Sequence, residues 1–349
     1  MTMASIHPDH RLRAAIAAGV ICADEDIAPD QIQPASMDLR LGRRAFRLRA
    51  SFLPGRGVRV EERLKPPLVM HEIDLAGGAV LETGCIYLVP LMERLALPGD
   101  LAARSNPKSS TGRIDVFTRV ISDGAFAFDT IAPGYEGALW LEICPRTFSV
   151  LVRPAERLAQ LRLRQLGETG NSSAPRRTLD VSLSLAADTL AGFRAKRHAG
   201  VLDLRRLGGH DPRDFWEPLQ PRDGQLILDP GEFYILASKE AICIAPDEAA
   251  EMAPIAPDIG EFRAHYAGFF DPGFGHGAGA GSKAVLEVRG RDVPFILEDG
   301  QRVAKLLFEP MSSAPQRLYG AAGSNYQGQG LKLSKLFGPW PGSVEQDRD

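Results

Sequence analysis

VLETGCIYLVPLMERLALP, residues 80–98, and ILDPGEFYILASKEAICIAP, residues 227–246, are two renderings of one pattern. Each has two apolar residues, an acidic residue, a spacer and a glycine, then an apolar run that carries a tyrosine and closes at proline. Two further pairs follow in the same order: ALWLEI (138–143) answers AVLEVR (284–289), and ERLAQLRL (156–163) answers QRVAKLLF (301–308). Leu81 and Leu228 stand 147 residues apart, and Glu142 and Glu287 stand 145 apart. One such match is within reach of chance, but three in one order at nearly one offset define a tandem duplication. A chain of 349 residues is long enough to bury two cores. Gly167–Arg177 (GETGNSSAPRR) is polar and without apolar periodicity, the composition of a connector. The expected organisation is a first domain over 1–166, a linker over 167–178 and a second domain over 179–349.

Both copies are made of short apolar segments broken by turn residues, among them 35 glycines and 26 prolines. Val80–Leu81, Ile86–Val89, Leu139–Ile143 and Phe148–Val152 are examples. Regular short strands with frequent turns predict an all-β fold, a sandwich or a barrel. The exception is PDHRLRAAIAAGV (8–20), where Leu12, Ile16 and Val20 recur at helical spacing and Asp9 is placed as an N-cap.

Charge and cysteine content narrow the function classes. With 41 basic and 44 acidic residues the net charge is −3, so no basic face for nucleic acid is called for. The longest apolar run, Ala14–Cys22, is too short for a bilayer and lacks a cleavage pattern, which predicts a cytoplasmic protein without a membrane partner. Cys22, Cys85, Cys144 and Cys243 are far apart and read as buried small hydrophobes of a reducing compartment. Neither they nor the seven histidines show zinc-ligand spacing.

The copies differ where they carry chemistry. The first holds ARSNPKSSTGR (103–113), with two cations and several hydroxyls within six residues between apolar strands. If Pro107 opens a helical turn, backbone N–H groups join them, and the stretch is an oligophosphate cradle rather than a solvated loop. The second holds HYAGFFDPGFG (265–275), then a glycine-rich stretch through Ser282 that reads as a hairpin turn before a strand, and then Glu287. Glu142 and Glu287 occupy matching places in apolar strands, the mark either of a site or of a structural ion pair.

These motifs together resemble the dCTP deaminase family of the dUTPase-like superfamily. The shared features are Ser109-Ser110-Thr111-Gly112-Arg113, Asp271-Pro272-Gly273-Phe274, Leu286-Glu287, the tail LYGAAGSNYQGQG (318–330) and the opening stretch QPASMDLRLG (33–42). The resemblance implies two tandem dUTPase-like distorted β-barrels, or jelly rolls, with a short N-terminal helix. Neither copy carries the whole set. The first has Ala132 where the family has the Asp of its Asp-Pro-Gly turn, and the second has no Ser-Ser motif. One composite site per chain is therefore expected, with Ser109–Arg113 of the first copy meeting Asp271 and Glu287 of the second. In the rival arrangement Glu142 is the working acid.

The resemblance implies hydrolytic deamination of dCTP to dUTP and ammonia, feeding dUMP and dTTP synthesis, without zinc. Glu287, desolvated between Leu286 and Val288, is the implied proton shuttle; Ser109 holds the water and Arg113 stabilises the intermediate. Lys108, Ser110 and Thr111 are expected on the phosphates, with Mg²⁺ carried by the nucleotide itself. Ala267 and Val285 are expected beside the base, and Asp271 on the sugar 3′-hydroxyl. Tyr319, Asn325 and Gln329 are expected in a closing lid; Asn325 stands where the family carries a lysine. Alternatives are a dUTPase, a bifunctional deaminase and diphosphatase, or a nucleotide-binding regulatory module without catalysis. Feedback by dTTP, and a monomer or a homo-oligomer, are both compatible with these motifs.

Overall fold

The computed structural model describes residues 4–341, apart from 168–174, 176, 188, 255–261, 265–267, 277–280 and 322–325. The structure is mainly β. In the first copy one sheet runs Val69–Asp74, Arg44–Leu48, Ile86–Ala96, Glu136–Pro145, Val116–Ser122, and a second runs Ser5–Ile6, Ala159–Gln165, Leu101–Pro107, Thr130–Ile131. The second copy repeats both. Its sheets run Trp216–Leu219, Gly192–Ala195, Phe233–Ile242, Ser282–Gly290, Phe262–Ala264 and Arg177–Ser182, Arg302–Pro310, Glu248–Pro254, Phe269–Phe270.

The repeat holds at the level of individual register pairs. Glu142 lies opposite Leu88, and Glu287 lies opposite Ile235, the residue 147 positions after Leu88. The turn chemistry repeats as well. The Glu82 N–H donates to the Tyr87 hydroxyl at 3.1 Å, and the Asp229 N–H donates to the Tyr234 hydroxyl at 2.8 Å. Gly84 and Gly231, inside those turns, both sit at φ +72°, a left-handed conformation that a residue with a Cβ adopts only under strain.

The cores are less separable than the repeat implies. One apolar cluster belongs to the second copy alone, built on Leu236, Leu286, Leu306 and Phe308. A larger one contains most of the first copy's core together with Phe193, Trp216, Phe233 and Phe337. Phe148 meets Phe215 and Trp216 edge-on at 5.5 and 5.4 Å, geometry that adds about 0.5–1.5 kcal/mol per pair beyond burial. Leu202–Asp203 also pairs in parallel with Val150–Val152, so a strand from beyond the linker extends a sheet of the first copy. Arg177 and Thr178 already belong to the strand Arg177–Ser182, so the expected linker ends earlier than residue 178.

Two further readings need correction. The N-terminal helix is Asp9–Ala17, with extended Pro8 as its N-cap. The Asp9 carboxylate is taken by the Gln316 N–H at 2.8 Å and by Arg13 at 3.0 Å, so it caps nothing on its own helix. Of the cysteines only Cys144 is buried, and Cys22 and Cys243 are exposed. Strand alternation explains this, since Ile21, Ile242 and Ile244 point inward and turn the neighbouring cysteines out.

Candidate active site

Pro107 ends a strand, and the chain passes through extended Lys108 into one helical turn, Ser109–Gly112. The turn is held at both ends. The Thr111 hydroxyl donates to Leu158 O at 2.9 Å, and Ser334 Oγ donates to Ser110 O at 3.0 Å. Lys108, Ser109, Ser110 and Arg113 line a cavity of about 590 Å³. The far wall comes from the second copy and includes Asp271, Val285, Glu287, Tyr319 and Gln329. Ser109, Ser110 and Arg113 of the first copy and Asp271 and Glu287 of the second thus line one cavity.

Glu287 is 1% exposed and packs directly on the Ser109–Gly112 turn. A Cβ at position 112 would collide with both of its carboxylate oxygens, so the approach depends on glycine there. Arg113, buried at the end of the turn, donates to Gln329 Oε1 at 3.0 Å and to Lys332 O at 2.9 Å, with its guanidinium 3.9 Å over the Tyr326 ring. Its Nε, also buried, has no hydrogen-bond partner among the described residues. Burial pushes the Tyr326 hydroxyl above the usual tyrosine range. Tyr326 and Gln329 are buried, so this part of the expected lid is packed against the Ser-Ser turn; the Tyr319 ring meets Phe274 at a tilt, with centroids 5.5 Å apart.

Asp271, of the second copy, is held by two side chains of the first. Arg162 donates to its Oδ1 at 2.8 Å and Ser36 to its Oδ2 at 3.3 Å. Arg162 also donates to the carbonyls of Ala250 and Phe270, both at 2.9 Å, and lies 4.0 Å over the Phe269 ring. Gly273, at φ +92°, lets the Asp-Pro-Gly turn meet the tail, where a Cβ would stand 2.7 Å from Leu318 Cβ. Register also explains the missing acid of the first copy. Ile131 pairs with Ala103 and Phe270 pairs with Ala250, 147 positions on, so Ala132 follows where Asp271 follows.

The other glutamate is engaged elsewhere. Glu142 accepts from Arg119 Nε at 2.9 Å, and that guanidinium stacks on Phe128 at 3.5 Å.

Among the expected contacts, Thr111 does not reach the cavity: it is 2% exposed and its hydroxyl is spent on Leu158. Lys108 is paired with Asp38, whose carboxyl burial pushes up against the pull of the ammonium. Ala267, Asn325, His265 and most of the glycine-rich loop lie outside the described residues.

Sequence reasoning missed Arg162, Ser36 and Asp38. The signal for Arg162 was a charge between Leu161 and Leu163 in an apolar strand; Ser36 and Asp38 stood in the quoted opening stretch.

A turn-rich pair of β domains that builds one nucleotide-sized cavity between a Ser-Ser turn and an Asp-Pro-Gly turn defines a dUTPase-like protein. The match to known proteins is narrower. Residues 3–168 match the model of the 2'-deoxycytidine 5'-triphosphate deaminase N-terminal domain, and residues 156–337 match that of the C-terminal domain. The chain belongs to the dCTP deaminase family. A crystal structure of 2'-deoxycytidine 5'-triphosphate deaminase from Agrobacterium tumefaciens is 50% identical, with a TM-score of 0.83 over 90% of this chain and 100% of that one. The dCTP deaminase of Haloarcula marismortui is 34% identical over 41% of this chain and 69% of its own length. A Thermobifida fusca protein named dCTP deaminase, dUMP-forming, is 32% identical over 45% of this chain and 76% of its own length.

Proposed function

We propose that the chain deaminates dCTP hydrolytically at one composite site, with Glu287 as its proton shuttle. The observation that carries this is the packing of a buried carboxylate of the second copy onto the Ser109–Gly112 turn of the first. Water held by the Ser109 hydroxyl attacks C4 of cytosine. Glu287 accepts its proton and returns protons to N3 and to the leaving amine, a role worth about 10²–10⁴-fold. Arg113 supplies a charged donor to the polar intermediate. Its guanidinium is already oriented by Gln329 and Tyr326, so little reorganisation is left for the reaction.

Lys108 and Ser110 take phosphate oxygens, and Mg²⁺ arrives with the triphosphate as part of the substrate. Asp271 accepts from the sugar 3′-hydroxyl while Arg162 and Ser36 fix its orientation. Val285 and Tyr319 close the apolar side of the cavity. The Glu142 carboxylate, neutralised by Arg119, serves structure. The enzyme works on the cytoplasmic nucleotide pool.

The test is product analysis with dCTP. Ammonia and dUTP in equal amounts are expected. Ammonia with pyrophosphate and dUMP would favour the second reading, a bifunctional enzyme, which the dUMP-forming name of the Thermobifida fusca relative brings forward.

A further inference from the structure

Beyond the Ser-Ser turn the cavity wall carries a group of charges that the deamination step does not use. Arg157 is held by Asp30 through two bonds of 2.9 and 3.0 Å, and Lys108 is held by Asp38. Lys335 lines the same cavity and, among the described residues, makes no ion pair. Its position is built. Leu333, Leu336 and Phe337 anchor the segment in the core, and Ser334 Oγ donates to Ser110 O. The Lys335 N–H donates to the Tyr326 hydroxyl at 3.3 Å. Burial, and then repulsion from Lys108, pull the ammonium below the usual lysine range. Lys108 and Arg157 thus have carboxylate partners while Lys335 has none among the described residues, and a half-buried ammonium without a partner is costly until an anion arrives.

We propose that Lys335 is a specificity-determining residue that takes the outermost phosphate of the substrate, beyond the phosphates met by Lys108 and Ser110, and so selects a nucleoside triphosphate over a diphosphate. This rests on reading the cavity as the dCTP site. Asp38 and Asp30 already hold Lys108 and Arg157, whereas Lys335, like the exposed Arg317 of the same cavity, makes no ion pair among the described residues, so an incoming phosphate meets it without displacing a carboxylate.

The experiment separates the phosphate site from turnover. Inorganic tripolyphosphate and pyrophosphate are titrated calorimetrically into the full-length protein and into Lys335→Met and Lys335→Arg, with circular dichroism confirming the fold of each. Wild type is expected to prefer tripolyphosphate, Lys335→Met to lose about tenfold of that affinity, and Lys335→Arg to keep most of it. In steady state, Lys335→Met is expected to raise KM for dCTP about tenfold with kcat within about twofold, and to lower the preference for dCTP over dCDP by a similar factor. Equal tripolyphosphate affinity in wild type and folded Lys335→Met overturns the assignment, whatever the turnover. A wild type that releases no ammonia from dCTP overturns the functional reading instead, and the tripolyphosphate comparison still decides the role of Lys335.

Discussion

Arg162, on a strand of the first copy, donates to the carboxylate of Asp271, on a turn of the second, at 2.8 Å, and both side chains are almost fully withdrawn from water. The same guanidinium serves two carbonyls of the second copy, so one side chain ties the two halves together at the cavity wall. Arg162→Met would leave Asp271 as a buried charge without its partner, at a cost of about 3–5 kcal/mol. A lowered melting temperature together with a raised KM for dCTP is expected. Unchanged thermal unfolding would show that the pair holds nothing in place.

Gly112→Ala tests whether the Glu287 carboxylate depends on the bare backbone beneath it. The added methyl must displace both carboxylate oxygens. A fall in kcat of about 100-fold or more is expected, with KM changed far less, because the shuttle moves while the phosphate contacts remain. Retained kcat in a folded variant would contradict the role given to that contact.

Asp129 gives a pH dependence with a definite sign. Burial pushes its carboxyl up to about 7, while its N–H contact from Val120 at 2.8 Å and Arg119 act in the opposite direction. Between about pH 4 and pH 7 the folded state therefore holds a proton that the unfolded chain releases, so stability falls as pH rises through that window. Asp129→Asn keeps an oxygen for Val120 and removes the ionisation. It is expected to be more stable than wild type at pH 8, by about 1–3 kcal/mol, and close to wild type at pH 4. Parallel melting curves at the two pH values check this, and an equal effect at both would refute it.

Placing the nucleotide in the composite cavity alone sets the stoichiometry. Calorimetric titration of dCTP into Glu287→Gln, where turnover does not consume the ligand, is expected to give one site per 349-residue chain. Two equivalent sites would mean that the first copy binds nucleotide in its own right.

The duplication and the division of motifs were legible because both are patterns of residue type along the chain. Glycine, proline and acidic residues mark turns at fixed offsets, and strand alternation marks the buried face. Ala132 in place of the acid could be read in the same way, and register pairing with Ala103 and Ala250 supports it. What could not be read is which polar groups from distant segments meet. Thr111 looked like a phosphate ligand by type, but its hydroxyl closes the turn onto Leu158. Arg162 belongs to no recognised motif, and its partners lie 88, 108 and 109 residues away. The entanglement of the cores was hidden for the same reason: Trp216 of the second copy meets Phe148 of the first, and Phe193 and Phe337 join the cluster built on the first copy's core.

The central claim, that catalysis runs through the glutamate of the second copy alone, is tested most directly by kcat for dCTP deamination in Glu287→Gln and Glu142→Gln, measured as ammonia release from folded protein. The account predicts a loss of about 10²-fold or more for Glu287→Gln. It predicts kcat within about threefold of wild type for Glu142→Gln, whose amide still accepts from Arg119. Loss of turnover in Glu142→Gln with activity retained in Glu287→Gln would contradict it.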